Sequence, residues 1–297
     1  MNPVVSLLGC RYPILQGAMG VISNPEMVAA VSEAGGFGLL ATAFAADPEF
    51  VRAQVRATRK LTDKPFGANL QMMNPLSPQF ADVLAEEGVR AVTVSAGSPK
   101  ALMPKLKELG MKVFAVVPTV DVARKAEDLG VDAVIAEGTE SGGIQGFRGA
   151  ATMVLVPAVV DAVRIPVIAA GGIADSRGYR AALALGASGV QVGTRFIATK
   201  ECIAHEKYKN ILVETPETGT MVLNLGPFQA RLLTVTVDRT GSGDTAEGAP
   251  RFGGGVEAME EAWVKGRVEG GALPAGEVCG LIHSIKSVRE VIVEMVS

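Results

Sequence analysis

The sequence predicts a (β/α)8 TIM barrel with an inserted C-terminal lid region, and three observations predict it. A phrase of helix, glycine and apolar strand recurs along the first two thirds of the chain. Eight short β-branched runs follow one another in that alternation, the number that closes a barrel. The last two runs end in glycine, in Ile165-Pro-Val-Ile-Ala-Ala-Gly-Gly-Ile173 and Gly189-Val-Gln-Val-Gly-Thr-Arg-Phe196. Loops after strands 7 and 8 of such a barrel are its usual phosphate cradle, and glycine lets backbone N–H groups approach an anion with no Cβ between.

In chain order the strands fall at 14–16, 37–42, 66–70, 91–95, 112–117, 133–137, 167–170 and 190–192. Each is short and mostly apolar, as a strand covered on both faces is. The glycines ahead of them, in Leu109-Gly110, Leu129-Gly130 and Leu185-Gly186, suit the left-handed position past a helix C-terminus. Asn24-Pro25 and Asp47-Pro48 each place an N-cap before an N1 proline and so start helices. A doubly wound sheet is disfavoured, because the first turn, Gly17-Ala-Met-Gly20, is not G-x-G-x-x-G and no Walker A sequence occurs. After Thr199 the alternation stops. A strand near 232–237 and a glycine-rich stretch at 240–250 read as a covering over the barrel mouth, and a final amphipathic helix at 287–295 returns to the barrel wall.

Composition narrows the function classes. With 48% hydrophobic residues in 297, the chain can build a large core. A net charge of −3 leaves no footprint for nucleic acid or an anionic membrane. No apolar run reaches the ~20 residues of a membrane span. The three cysteines, Cys10, Cys202 and Cys279, lie far apart with no zinc spacing, so no metal site is expected and reduced thiols place the protein in the cytoplasm. The phrase Val4-Val-Ser-Leu-Leu-Gly-Cys10 looks like a lipoprotein box, but it lacks a basic region and a long enough apolar one.

The strand ends bring one set of residues to one mouth: Gln16 to Gly20, Asn69 to Gln71, Ser95 to Gly97, Glu137 to Gly143, Gly171-Gly172 and Gly193-Thr194. Backbone donors and neutral amides dominate. There is no carboxylate pair, metal set or nucleophile elbow, and such a site suits a polar cofactor that carries the chemistry itself.

These motifs, in this order, resemble the FMN-dependent nitronate monooxygenase family (formerly 2-nitropropane dioxygenases) and its relative, the flavin enoyl-acyl-carrier-protein reductase II. The carriers are Pro13-Ile-Leu-Gln-Gly-Ala-Met19, Pro65-Phe-Gly-Ala-Asn-Leu70, Ala136-Glu-Gly-Thr-Glu-Ser-Gly-Gly143, Pro166-Val-Ile-Ala-Ala-Gly-Gly-Ile-Ala-Asp175 and Gln191-Val-Gly-Thr-Arg-Phe196. The tail Val268-Glu-Gly-Gly-Ala-Leu-Pro-Ala-Gly276 looks more like the reductase branch. The resemblance implies FMN at the barrel mouth, with NADH or NADPH as reductant in some members and a homodimer as an assembly. By position it implies that Gly17, Ala18 and Met19 line the flavin ring and that Asn69 bonds its edge. Glu137, Ser141, Gly142 and Gly143 would lie beside it, and Gly171, Gly172, Gly193 and Thr194 would hold the phosphate. On this division residues 1–201 carry the barrel strands and the FMN site, 202–270 the lid or substrate region, and 271–297 the returning helix.

One departure bears on the chemistry. The family places His directly after Ser-Gly-Gly, and here Ile144 stands there. Isoleucine moves no proton, so the remaining candidates are Gln145, through a bound water, and His205. Abstracting a proton from a neutral nitroalkane would be poor, whereas an anionic nitronate needs no base. The leading expectation is therefore an oxidoreductase of the nitronate monooxygenase type. It would pass electrons from NAD(P)H or a nitronate-like small molecule through flavin to oxygen or an organic acceptor. The alternatives are an enoyl thioester reductase and a non-catalytic FMN-binding module.

Overall fold

Strand β1 (Ile14–Gln16) sits between the first and last parts of the sheet and closes it. On one side it pairs in parallel with β9 (Gly189–Val192), Leu15 opposite Gln191. On the other, Phe37 N–H donates to Ile14 O at 2.8 Å and Gln16 N–H donates to Phe37 O at 3.0 Å, just ahead of β2 (Leu39–Ala41). A computed structural model describes residues 2–224, 228–236, 255–269 and 271–297. The ring continues through β3 (Gly67–Gln71), β4 (Ala91–Ser95), β5 (Lys112–Val117), β6 (Ala133–Glu137) and β8 (Val167–Ala170), all in parallel register. The protein is a (β/α)8 barrel with a C-terminal extension, and each of the eight expected strands is present within a residue or two of its expected place.

The barrel holds two apolar layers. Leu15, Phe37, Leu39, Phe114, Ile135 and Ile168 fill its interior end with the short helix Pro3–Leu8, and all are nearly solvent-free. The alternate residues of the same strands, such as Val92, Val113, Val134 and Val167, face the helices. That alternation is why the runs are mostly apolar: both faces are covered. Helix starts follow the expected caps. Asn24 Oδ1 accepts from Met27 N–H, and Asp47 Oδ1 from Phe50 N–H at 2.8 Å.

Strand β7 (Gly143–Gln145) lies outside the barrel and was not anticipated. It pairs antiparallel with β11 (Gln229–Leu233), itself hairpin-paired with β10 (Thr220–Asn224). Three residues carry too little periodicity to announce a strand, and the partner is more than 80 residues away. The strand expected at 232–237 instead spans Gln229–Leu233. It ends where Thr234 N–H turns to Gly219 O at 2.9 Å, and residue 237 and the stretch 240–250 lie outside the described residues. The C-terminal helix Val288–Val296 opens on a capping box of Ser287 and Glu290 and packs on the helices Pro25–Glu33 and Ser176–Ala184. Among the described residues no helix is long and apolar enough to cross a membrane.

Candidate functional site

A cavity of about 710 Å³ opens at the C-terminal ends of the strands, a size that suits a cofactor together with a small substrate. Gly17, Ala18, Met19, Asn69, Glu137, Ser141, Gly142, Gly143, Gly171, Gly172, Gly193 and Thr194 all line it, together with Ile144 and Gln145. His205 is placed elsewhere. It caps the helix Glu206–Glu214, its Nδ1 accepting from Lys207 N–H at 3.1 Å and its backbone N–H donating to Trp263 O at 2.7 Å.

Buried Gln16 shapes the first wall. Its Oε1 accepts from Leu39 N–H at 3.1 Å, and its Nε2 donates to Ser23 Oγ at 2.8 Å. Ser23 Oγ in turn accepts from Met19 N–H at 2.7 Å, so the loop Gly17–Met19 is tied to the barrel floor. On the second wall Asn69 is clamped at both ends of its amide. Thr93 Oγ1 donates to Asn69 Oδ1 at 2.8 Å, and Asn69 Nδ2 donates to Ser95 Oγ at 3.1 Å. The remaining Nδ2 hydrogen is what Asn69 can offer a ligand.

Two glycines show room left for a bound group. Gly172 has φ +70°, which L side chains rarely adopt, and a Cβ there would meet nothing nearer than Glu140 Cβ and Oε1 at 3.7 Å. Gly193 has φ −109°, and a Cβ on it would meet only Met19 Sδ, at 3.7 Å. Protein packing does not call for glycine at 193. The opening leaves room for a ligand to approach the backbone at this point.

Residues that the sequence did not single out complete the site. Gly276 N–H donates to Thr194 Oγ1 at 3.0 Å and Glu277 N–H to Glu140 O at 3.0 Å, which folds the C-terminal segment over the glycine rim. Glu140 bonds the start of the helix Thr152–Val160, its oxygens accepting from Thr152 N–H at 2.9 Å and from Thr152 Oγ1 at 3.0 Å. Trp263 covers the mouth, with Nε1–H donating to Ala272 O at 2.7 Å. Pro99, Val122, Leu129 and the charged Lys125 line the cavity on the side of β4 and β5.

Ionisable groups divide into inert and poised. Burial pushes the Cys202 thiol up to about 11, so it is a packed neutral thiol. Burial also pushes the Glu137 carboxyl up to about 7, and the neighbouring Ser141 hydroxyl pulls the other way. Ile144 stands on β7 in the cavity wall, opposite Ala230 of β11.

Comparison with known proteins agrees with this geometry. The family profile described as nitronate monooxygenase matches residues 2–81 and 77–297. The solved structure of FabK from Thermotoga maritima superposes with a TM-score of 0.90 at 40% identity, covering 99% of this chain and 94% of that one. A "(3aS,4S,5R,7aS)-5-hydroxy-7a-methyl-1-oxo-octahydro-1H-indene-4-carboxyl-CoA dehydrogenase" of Rhodococcus jostii is 41% identical over 207 residues, 70% of this chain. That match spans only 58% of the Rhodococcus protein's length. A Mycobacterium tuberculosis protein of the same name is 32% identical across 99% of this chain and 95% of its own. With the glycine rim, the barrel mouth and a profile match running from residue 2 to residue 297 all in agreement, the chain belongs to the nitronate monooxygenase family.

Proposed function

We propose that the protein is an FMN-dependent oxidoreductase that reduces an enoyl thioester with electrons from NAD(P)H. The observation that carries the reading is the lining of the cavity: a glycine rim at one wall, Ile144 where the family has a proton-abstracting side chain, and Pro99, Val122 and Leu129 on the far side. We assign an acyl chain to that far side. Two relatives named as carboxyl-CoA dehydrogenases support a thioester substrate, and the likeness to FabK over nearly the whole chain supports the reductase branch over nitronate oxidation.

Gly172, Gly193 and Thr194 would hold the phosphate of FMN. Met19 would face its ring system, and the free Nδ2 hydrogen of Asn69 would meet its polar edge. Bound FMN supplies two-electron hydride chemistry. The protein's own part is to orient the thioester against it, exclude water under Trp263 and the C-terminal segment, and deliver a proton.

The purified protein should be yellow or take up FMN on soaking. Under anaerobic conditions NADH or NADPH should bleach the flavin, and an enoyl-CoA should restore its colour. Bleaching without recovery by any enoyl thioester would sink the reductase reading. Oxygen uptake by the oxidised flavoprotein with an alkyl nitronate in air would favour the second reading, nitronate oxidation, which the family profile supports. A flavin that resists both NAD(P)H and nitronates would mark a binding module.

A further inference from the structure

We propose that Glu137 is the proton donor of this reaction, held in place by Ser141 and Gln145, and that it takes over the task that Ile144 cannot perform. The inference rests on the thioester-reductase reading and goes beyond it by naming the source of the proton.

The geometry is specific. Glu137 is the last residue of β6, opposite Ala170 of β8, and the next N–H, Gly138, donates to Ala170 O at 2.9 Å. Its backbone is therefore fixed in the barrel sheet and not in a mobile loop. Its side chain lines the cavity together with Ser141 and Ile144. Gln145, 6% exposed, donates its two Nε2 hydrogens to Thr139 O at 2.9 Å and to Ser141 O, with Ser141 Oγ 3.1 Å from the same nitrogen. The loop carbonyls are thereby held, and the Ser141 hydroxyl is kept beside the Glu137 carboxyl, where it favours the charged form. Ser141 and Gln145 are thus positioning residues. They stabilise the carboxylate when it forms and keep it aimed at the cavity.

The surroundings favour a carboxyl that is protonated for part of the time at neutral pH, since burial pushes it up to about 7. The other ionisable groups lining the cavity are engaged or remote. Both oxygens of Glu140 bond Thr152, and Tyr208 Oη–H donates to Pro274 O. Lys125 lies on the helix Val120–Asp128 beyond β5. From β11, Arg231 faces the same loop but donates to Thr139 O and pairs with Glu277 at 2.9 Å.

The step balances. Reduction of an enoyl thioester adds a hydride, with both electrons, to the β carbon; it derives from NAD(P)H by way of bound FMN, and NAD(P)+ is the oxidised product. The C=C π pair moves toward the thioester carbonyl. The Glu137 proton then joins the α carbon as the second C–H bond forms. The carboxylate left behind recovers its proton from water.

The test combines a spectroscopic and a kinetic readout on the full-length, FMN-loaded protein. Carbon-13 NMR of glutamate side chains should show one carboxyl titrating near neutral pH, and Glu137→Gln should abolish that signal. In the same variant, anaerobic reoxidation of reduced flavin by an enoyl-CoA should fall by about 10²–10⁴-fold, the usual loss for a positioned proton donor. Ser141→Ala should raise the NMR midpoint and move the pH profile of thioester reduction upward by the same amount. No glutamate titrating near neutral pH, or a Glu137→Gln variant that keeps wild-type thioester reduction, would overturn the proposal alone. If Glu137→Gln fails to fold or to hold FMN, Ser141→Ala decides: a matched shift supports Glu137, and an unmoved profile refutes it. A wild-type protein that is bleached by NAD(P)H but leaves every enoyl thioester untouched would overturn the reductase reading, and the donor with it.

Discussion

Ile144 stands directly opposite Ala230 across the antiparallel β7–β11 ladder, and this register fixes it in the cavity wall. Ala230 is fully buried, so the ladder leaves little freedom for β7 to slide. Ile144→His should therefore put an imidazole in the same wall without disturbing the barrel. The expected result is a gain of oxygen uptake with neutral nitroalkanes, on the order of 10²-fold or more, while oxidation of preformed nitronates changes little. An oxygen electrode with both substrates checks it. Equal changes with the two would show that residue 144 does not control proton abstraction.

Gly193→Ala separates ligand binding from packing. A Cβ at this position meets nothing nearer than 3.7 Å, so stability should change by less than about 1 kcal/mol. FMN affinity should fall by about tenfold or more, because the methyl group occupies the space through which the backbone reaches the phosphate. Thermal melting of the FMN-free protein and a flavin fluorescence titration measure the two effects independently.

Trp263 is the only tryptophan in the chain and it lines the cavity. Its emission should fall on FMN addition and saturate at one equivalent, because a flavin in the cavity is close enough to accept its excitation. Unchanged emission with tight FMN binding would place the flavin elsewhere.

Glu137 makes stability depend on pH in a definite direction. Its carboxyl is raised in the folded protein from 4.5 to about 7. Between those values the folded state keeps a proton that the unfolded chain gives up. The stabilising contribution is complete below about pH 4.5, is lost as pH rises toward 7, and changes no further above that. Urea unfolding of the FMN-free protein at a series of pH values should show this decline in the wild type, and Glu137→Gln should flatten that part of the profile.

Arg231 ties the hairpin to the loop after β6. It donates to Thr139 O at 2.9 and 3.1 Å and to Thr220 Oγ1 at 3.0 Å, while 8% exposed. Arg231→Met keeps much of the volume and removes these charged hydrogen bonds. A loss of about 2–3 kcal/mol is expected by chemical denaturation. FMN affinity should also fall, because Ser141 and Gly142 lie on the loop that Arg231 holds.

The barrel was legible in the sequence because its signals are local. A glycine past each helix, a covered strand of five or so apolar residues and a proline-led helix start all lie within a dozen positions of one another. The glycines at 171–172 and 193 could be found the same way, and the structure places them on one cavity. Long-range pairings were not legible. The Gly143–Gln145 ladder depends on residues near 230, and the bond from Gly276 to Thr194 joins segments 82 positions apart. Lys125 and Val122 read as ordinary helix-surface residues until the helix is seen beside the mouth. His205 looked chemical because histidine is rare here, yet its ring serves a helix end.

The short strand carrying Ile144 and Gln145 belongs to the barrel by sequence and to the hairpin by hydrogen bonding. Whatever lengthens, shortens or tilts the hairpin must also re-aim Ile144 and Gln145 in the cavity wall, while Glu137 stays fixed on its barrel strand. Exchanging hairpins between relatives would therefore reshape one wall of the cavity and leave the barrel-borne carboxyl in place.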